Sequence, residues 1–439
     1  MEKTEKIDYS ESQNDQAGQQ VDLAPENVAS IQEVDEIPPD KGYAWLILFA
    51  GVLNYMMPFG TLNAFGVFQT YYLLVMFPNE PARNISWIST MALSCSYIGS
   101  IFASSLIARF GLRGTNLIGT LVGAGGFLLA SFSTKVWQLV LTQGVLFGIG
   151  GSILINVSVV VPSLWFEKHL GLAIGTVIAG TGLGSLIITP ITTQAIKAVG
   201  ISWTFRILAL MYCVLTGVGT IVFKPRKHFV SAKSVINLQH LKDPVALLLC
   251  FAGFLVVTGY TCGTLYFPAT IVALGTTKQY ASNLIMVFSV FSMTGRILSG
   301  QLARRLGSVK ILIFSHAMNG LVMILLWNLG KSVPVYIVAY SLIGLFSVPL
   351  FTLSSVIIAN HYPKKYISQV NGLVSLFMGA GAILGIPLVG LVFDVVGNRT
   401  DYKWVKIIGA ISYFSTIICF VLLRIYLIKS DPKYRLSPL

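Results

Sequence analysis

Charge is scarce in this chain. Only 11% of its 439 residues are Asp, Glu, Lys or Arg, against 54% hydrophobic residues and a mean hydropathy of +0.75. Soluble domains carry about 25% charged residues, so a soluble globular protein is excluded and a polytopic membrane protein remains. Carboxylates are scarcer still, because residues 1–40 hold 11 of the 17 acidic residues. Within the apolar segments Asp394 is the sole carboxylate, and it lies near a segment end. No carboxylate pair, nucleophile with base, or metal-ligand cluster can be assembled there, so neither an enzyme nor a metal or cofactor site is expected. The five cysteines (95, 213, 250, 262 and 419) all fall in apolar segments without a CxxC, and read as small core residues. His316 is the one histidine in a span. A neutral imidazole bonding between helices is the plainer account of it, and a proton role the other. No apolar run with a cleavage site precedes residue 37, so the first span is expected to direct insertion.

What is present is a series of twelve apolar segments, each about 20 residues or longer, the length that crosses a hydrocarbon core. They fall at roughly 43–74, 86–108, 114–133, 136–162, 170–195 and 204–223, then at 244–274, 280–303, 309–329, 333–360, 367–395 and 405–428. The domains expected are an acidic disordered tail over 1–40, a six-helix half over 41–223, a basic linker over 224–243, a second half over 244–428 and a tail over 429–439. The net charge of +13 is carried outside the acidic tail. Its cations sit in short connections between spans, where they orient the chain in the membrane; nucleic acid is not an expected partner. Placing both termini in the cytoplasm puts 20 Lys or Arg inside and eight outside, which favours that orientation. The sequons at Asn84 and Asn398 then lie outside, in short loops against the membrane where glycosylation is not expected.

The halves repeat one another. Ser104-Ser105-Leu106-Ile107-Ala108-Arg109-Phe110-Gly111 aligns with Gly300-Gln301-Leu302-Ala303-Arg304-Arg305-Leu306-Gly307 at an offset of 196, and Trp165-Phe166-Glu167-Lys168 aligns with Tyr362-Pro363-Lys364-Lys365 at 197. Repeated six-helix halves pack around a central cavity and rock against each other, with a solute site near the midplane. The first repeat resembles the loop Gly-x-x-x-Asp-Arg-x-Gly-x-Arg of the major facilitator superfamily. Arg109, Gly111 and Arg113 are kept, while Ser104 and Ala108 replace Gly and Asp. That resemblance implies an all-α membrane protein of the major facilitator fold, with twelve transmembrane helices in two pseudo-symmetric six-helix halves.

A second resemblance is narrower. Asp40-Lys41-Gly42-Tyr43-Ala44-Trp45 is similar to the Asp-Gly-Gly-Trp-Gly-Trp that opens the first helix of the monocarboxylate transporter family. Trp165 through Gly175, continuing to Ala179, Gly180 and Gly184 and including Lys168, is similar to that family's second motif. Phe65-Gly66-Val67-Phe68-Gln69-Thr70-Tyr71-Tyr72 is further similar to its fungal members. Apart from the family, Tyr43 and Trp45 suit the headgroup layer, and the glycines at 171, 175, 180 and 184 permit close helix approach.

Arg296 lies inside the segment 280–303, at a depth where a guanidinium must face protein or a water-filled path, unless its stem snorkels to the headgroups. The resemblance places it where monocarboxylate transporters pair an arginine with the substrate carboxylate, and its donor fork suits that task. Proton-coupled members carry an aspartate one turn earlier and a lysine in the first helix; here those positions are Ser292 and Asn63. Asn54, Asn63, Asn156, Tyr260, Tyr266 and Phe267 qualify as cavity contacts on depth alone. Gly259, Gly263 and Pro268 make the seventh span breakable. The expectation is a transporter of a small organic solute, a monocarboxylate-like anion or a vitamin such as riboflavin, that is facilitative because its proton-coupling residues are replaced. The alternatives are a proton-coupled monocarboxylate symporter and a non-transporting sensor, although residues 429–439 are few for the added domain a sensor carries. The expected location is the plasma membrane, with a vacuolar or other internal membrane second. Beyond the solute the partner is the lipid bilayer, and an accessory membrane protein is left open.

Overall fold

A helix that crosses a bilayer must satisfy every backbone donor and acceptor within itself. Regular structure among the described residues is accordingly all helical. The computed structural model describes residues 38–226, 231–232, 234–235, 237–398 and 401–430. The expected tails, apart from residues 38–40 and 429–430, lie outside the described residues, as do Arg399 and Thr400 of the second sequon.

Among the described residues ten uninterrupted apolar helices are long enough to cross a membrane, but two of them are too long to do so once. Arg83–Ala130 has 48 residues and Leu170–Val222 has 53. At about 1.5 Å per residue, each is roughly twice a 30 Å hydrocarbon core. Each contains one glycine outside helical geometry: Gly111 at φ 68°, ψ −178°, and Gly200 at φ 80°, ψ 172°. Positive φ is cheap only without a Cβ, so these two residues reverse the chain between antiparallel spans. The count becomes twelve.

We label them α1 (Tyr43–Met76), α2 (82–110), α3 (112–130), α4 (Val136–Trp165), α5 (170–199) and α6 (201–222), then α7 (Pro244–Val272), α8 (Lys278–Leu306), α9 (Ser308–Asn328), α10 (Val333–His361), α11 (Lys364–Val395) and α12 (Lys403–Ser430). Hairpin order puts residues 40–42, 110–112, 165–170, 223–226, 237–243, 306–308 and 361–364 on one face of the membrane, called here the linker side. α7 carries a π-helical turn at Cys262–Tyr266, between Gly259 and Pro268.

The pairings within one half recur in the other. α1 packs along α5 as α7 packs along α11, α3 along α6 as α9 along α12, and α2 along α4 as α8 along α10. Large apolar side chains such as Phe49, Leu74, Leu121, Ile221, Leu329 and Ile418 are exposed on the outer surface, which is the surface lipid covers. The halves meet along two seams, α5 against α8 and α2 against α11.

Candidate functional site

The two motifs read from sequence come together on the linker side. The Asp40 carboxylate accepts the backbone N–H groups of Glu167 (3.2 Å), Lys168 (3.0 Å) and His169 (2.9 Å), with the His169 ring 3.2 Å away. It thus caps the positive end of α5, 127 residues along the chain. Burial alone would raise the pKa of Asp40. The N–H groups of Lys168, His169 and Glu167 and the His169 ring outweigh it and hold the carboxyl below its ordinary 3.8. Gly42, at φ +51°, turns the chain into α1. Tyr43 then packs on Trp165 (5.3 Å between rings) and donates to the Val222 carbonyl at 2.7 Å, while Trp45 meets Phe166 edge-on at 5.6 Å. The second half has a related arrangement. Asp243 caps α7 through the Val245 N–H (3.0 Å), accepts from the Tyr362 hydroxyl and lies 3.6 Å from His361. Its carboxyl too is held below the ordinary range, burial being outweighed by His361, Tyr362 and the Val245 N–H.

Both seams are shut at this end. A Cβ built on Gly171 would lie 2.2 Å from the Gly300 carbonyl oxygen, and one on Gly300 only 2.0 Å from that of Gly171. One turn deeper, a Cβ on Gly175 would lie 2.5 Å from the Arg296 carbonyl. α5 and α8 therefore touch backbone to backbone, which only glycine permits. Gly180 faces α1 instead, against the Val52 carbonyl. On the other seam Asn156 of α4 joins α2 to α11. Its amide donates to Ser100 Oγ (2.9 Å) and to the Ser368 carbonyl (3.1 Å), and accepts from Ser368 Oγ (2.7 Å).

Just beyond this closure lies a cavity shared by both halves. Tyr55, Tyr97, Ser100, Ile155, Asn156 and Ile178 line it from the first half. Phe351, Ser354, Ser355, Asn371, Val374 and Ser375 are among those that line it from the second. Its volume of about 40 Å³ holds roughly three or four waters, at roughly 10–15 Å³ for each. A solute therefore needs the halves to part.

Arg296 stands beside Phe351, one wall of this cavity, and is not itself in the lining. Its guanidinium carbon is 5.9 Å from the centre of the Phe351 ring. The side chain is 3% exposed. It donates to Ser292 Oγ one turn back on α8, and Nε has no partner. Among the described residues the ion pairs are Asp40–His169, Glu167–Arg226 and Asp243–His361, and none involves Arg296. A buried cation without a counter-ion is costly by several kcal/mol, and the usual remedy is a partner anion.

The other candidate residues are spread over the molecule. Tyr260 joins the same region, with its ring edge-on to Phe351 at 5.5 Å. Asn156 lines the cavity but spends its amide on the clasp. Asn63 is exposed at the bend in α1, and Tyr266 packs on Phe393 of α11 at 5.5 Å. Arg113 Nε donates to the Phe223 carbonyl at 3.0 Å, tying α3 to the end of α6, whereas Arg109, Arg304 and Arg305 are exposed at the linker side. His316 lies between α9 and α12, with Nδ1 2.8 Å from the Leu312 carbonyl and the ring against Tyr413 and Phe420. Sequence reasoning missed Tyr55, Tyr97, Phe351, Ser354 and Ser375. The available signal was Asn371 and Ser375, polar residues one turn apart on one face of an apolar helix. Lys406, counted from sequence with the cations outside the membrane, instead donates to the Trp327 carbonyl (3.0 Å) and Tyr336 hydroxyl (2.9 Å) inside the bundle.

The family profile described as Major Facilitator Superfamily matches residues 44–315 and 249–438. The chain belongs to the major facilitator superfamily. Among its relatives, "MFS transporter asaE" of Aspergillus flavus is 28% identical over 384 residues, covering 87% of this chain and 86% of that protein. "Agnestins efflux protein AgnL12" of Paecilomyces divaricatus is 28% identical over 386 residues, covering 87% and 89%. Of solved structures, the proton:xylose symporter XylE superposes with a TM-score of 0.70 at 12% identity, covering 86% of this chain and 94% of that one, a likeness of fold. This major facilitator protein is therefore a multi-pass membrane transporter of a small solute, not an enzyme. In the state described, the major facilitator halves are closed on the linker side of the cavity.

Proposed function

We propose that the protein carries a small organic anion across the membrane by alternating access, with Arg296 as the anion contact, and that it does so without proton coupling. The observation that supports this reading most is the buried, counter-ion-free guanidinium beside a cavity shared by both halves. A carboxylate entering there would supply the missing charge and two acceptors for the fork. Coupling to protons requires a group near the solute that gains and loses one. By the sequence resemblance to monocarboxylate transporters, Ser292 and Asn63 stand in place of the carboxylate and amine of proton-coupled members, and neither titrates. The seams provide the moving parts: Gly171, Gly175, Gly300 and Asn156 hold the linker side shut and must separate for the solute to leave there. The basic linker-side loops favour the cytoplasm for that side, with the plasma membrane first and an internal membrane second. A monocarboxylate-like anion is the solute class, and riboflavin is the vitamin to set beside it.

Uptake of a labelled panel of monocarboxylates and vitamins, riboflavin included, into cells producing the protein tests the reading. Saturable uptake of an anion, lost in Arg296→Ala, is expected. Transport of a neutral solute that survives Arg296→Ala would overturn the anion contact.

A further inference from the structure

The cavity has two aromatic walls, one from each half. On the first half Tyr55 and Phe59 stack at 5.0 Å, and Tyr97 adds a third ring 6.1 Å from Phe59. On the second half Phe351 meets Tyr260 edge-on at 5.5 Å, and Phe288 stands 6.1 Å from Tyr260. Beside these walls lies a row of hydroxyls. Ser355 and Asn371 satisfy one another at 2.9 Å, and the Asn371 amide also donates to the Ile367 carbonyl. Ser354 and Ser375 of the cavity lining, with the phenols of Tyr55 and Tyr97, make no hydrogen bond to any other described residue. Three of these four are more than nine-tenths buried: Ser354 is 3% exposed, Tyr55 5% and Tyr97 8%. Mid-span hydroxyls commonly bond the carbonyl four residues back, as Ser315 and Ser341 do here, so hydroxyls turned to the cavity instead are open to whatever fills it, water or solute.

We infer that the site selects a planar, ring-bearing anion with oxygen substituents over an aliphatic acid of the same charge. The inference rests on Arg296 being the anion contact. With its carboxylate at Arg296, a flat ring lies between Tyr97 and Phe351, which belong to different halves. The halves, parted by the solute, then hold the ring by its faces. The oxygen substituents at its other end accept from Ser354 and Ser375 and fill the hydrogen-bonding capacity that the protein leaves open. Aliphatic acids keep the charge contact and lose the two ring faces. Aromatic contacts of this kind correspond to a roughly threefold to tenfold preference.

The test is binding to the purified full-length protein, followed by tryptophan fluorescence, with benzoate, cyclohexanecarboxylate, 4-hydroxybenzoate, lactate and benzamide as probes. Benzoate should bind about threefold to tenfold more tightly than cyclohexanecarboxylate. Phe351→Leu and Tyr97→Leu should bring that ratio toward one by weakening benzoate more than lactate, with Phe351→Tyr restoring the ratio. Ser354→Ala combined with Ser375→Ala should remove only the preference for 4-hydroxybenzoate over benzoate. Equal binding of benzoate and cyclohexanecarboxylate in the wild type, or a Phe351→Leu loss shared equally by lactate, would overturn the ring clamp and leave the anion contact standing. Benzamide binding as tightly as benzoate would overturn the anion contact while the ring preference survived.

Discussion

Replacing Arg296 by methionine should weaken anion binding and stabilise the empty protein, two effects of opposite sign that a structural arginine would not produce together. The side chain is 3% exposed, with Ser292 as its sole hydrogen-bond acceptor and no carboxylate partner among the described residues. Methionine fills similar volume and removes the unpaired charge. Comparable replacements of buried ions by apolar residues are neutral or stabilising by about 1–4 kcal/mol. Against this stand the lost contact with the Phe351 ring, worth about 0.5–2 kcal/mol, and the Ser292 hydroxyl, which can turn back to a carbonyl of its own helix. The unliganded variant should therefore unfold at the same temperature as the wild type or higher. Binding behaves oppositely, because two charge-assisted hydrogen bonds at about 1.5–3 kcal/mol each disappear, a loss of roughly 10²- to 10⁴-fold in affinity. Thermal unfolding of purified protein over a titration of a transported anion reads both quantities. A clear fall in the midpoint without anion, with the anion-induced rise intact, would refute the argument and make Arg296 a packing element.

Three further outcomes follow from the closed linker side. Gly300→Ala places a methyl 2.0 Å from the Gly171 carbonyl, so α5 and α8 must part; labelling of a cysteine at the buried Ser104 position by an impermeant maleimide should rise several-fold, and unchanged labelling would show that the seam is not the closure. Asn156→Ala leaves Ser100 and Ser368 without their bridging partner and should weaken the closed state by about 1–3 kcal/mol, visible as the same rise in labelling. Asp40→Ala should cost about 1–2 kcal/mol of stability as a lost cap. Because the Asp40 pKa is lowered on folding, its charge-dependent contribution is full above the unfolded value near 3.9 and is lost as pH falls through the folded one. The gap in unfolding midpoint between wild type and variant should shrink as pH falls below about 4, where the carboxylate is protonated; a gap that persists undiminished to about pH 2 contradicts the cap.

Depth in the membrane was legible from sequence, and orientation around each helix was not. Twelve spans follow from composition and length, and Gly111 and Gly200 sit between spans where a reversal needs positive φ. The motifs around Asp40 and Trp165 were legible as strings, yet their meeting is a contact across 127 residues that no local pattern encodes. Arg296 stood out because a cation in an apolar run is expensive anywhere in the bilayer. A serine in such a run carries no comparable signal, since Ser354 and Ser341 look alike until neighbouring helices decide which hydroxyl faces a cavity and which bonds its own backbone. Depth alone likewise grouped Asn63 and Tyr266 with Arg296, whereas the structure turns Tyr266 toward Phe393 and leaves Asn63 exposed.

The central claim is transport of an organic anion without a coupled proton, and exchange in proteoliposomes tests it most directly. Vesicles loaded with unlabelled benzoate receive external labelled benzoate while potassium and valinomycin clamp the membrane potential, with and without an imposed pH gradient. The account predicts transient accumulation of label driven by the unlabelled gradient, equal in rate and extent at either pH difference and absent in Arg296→Met. Net accumulation that appears only with the pH gradient and collapses with a protonophore would contradict it.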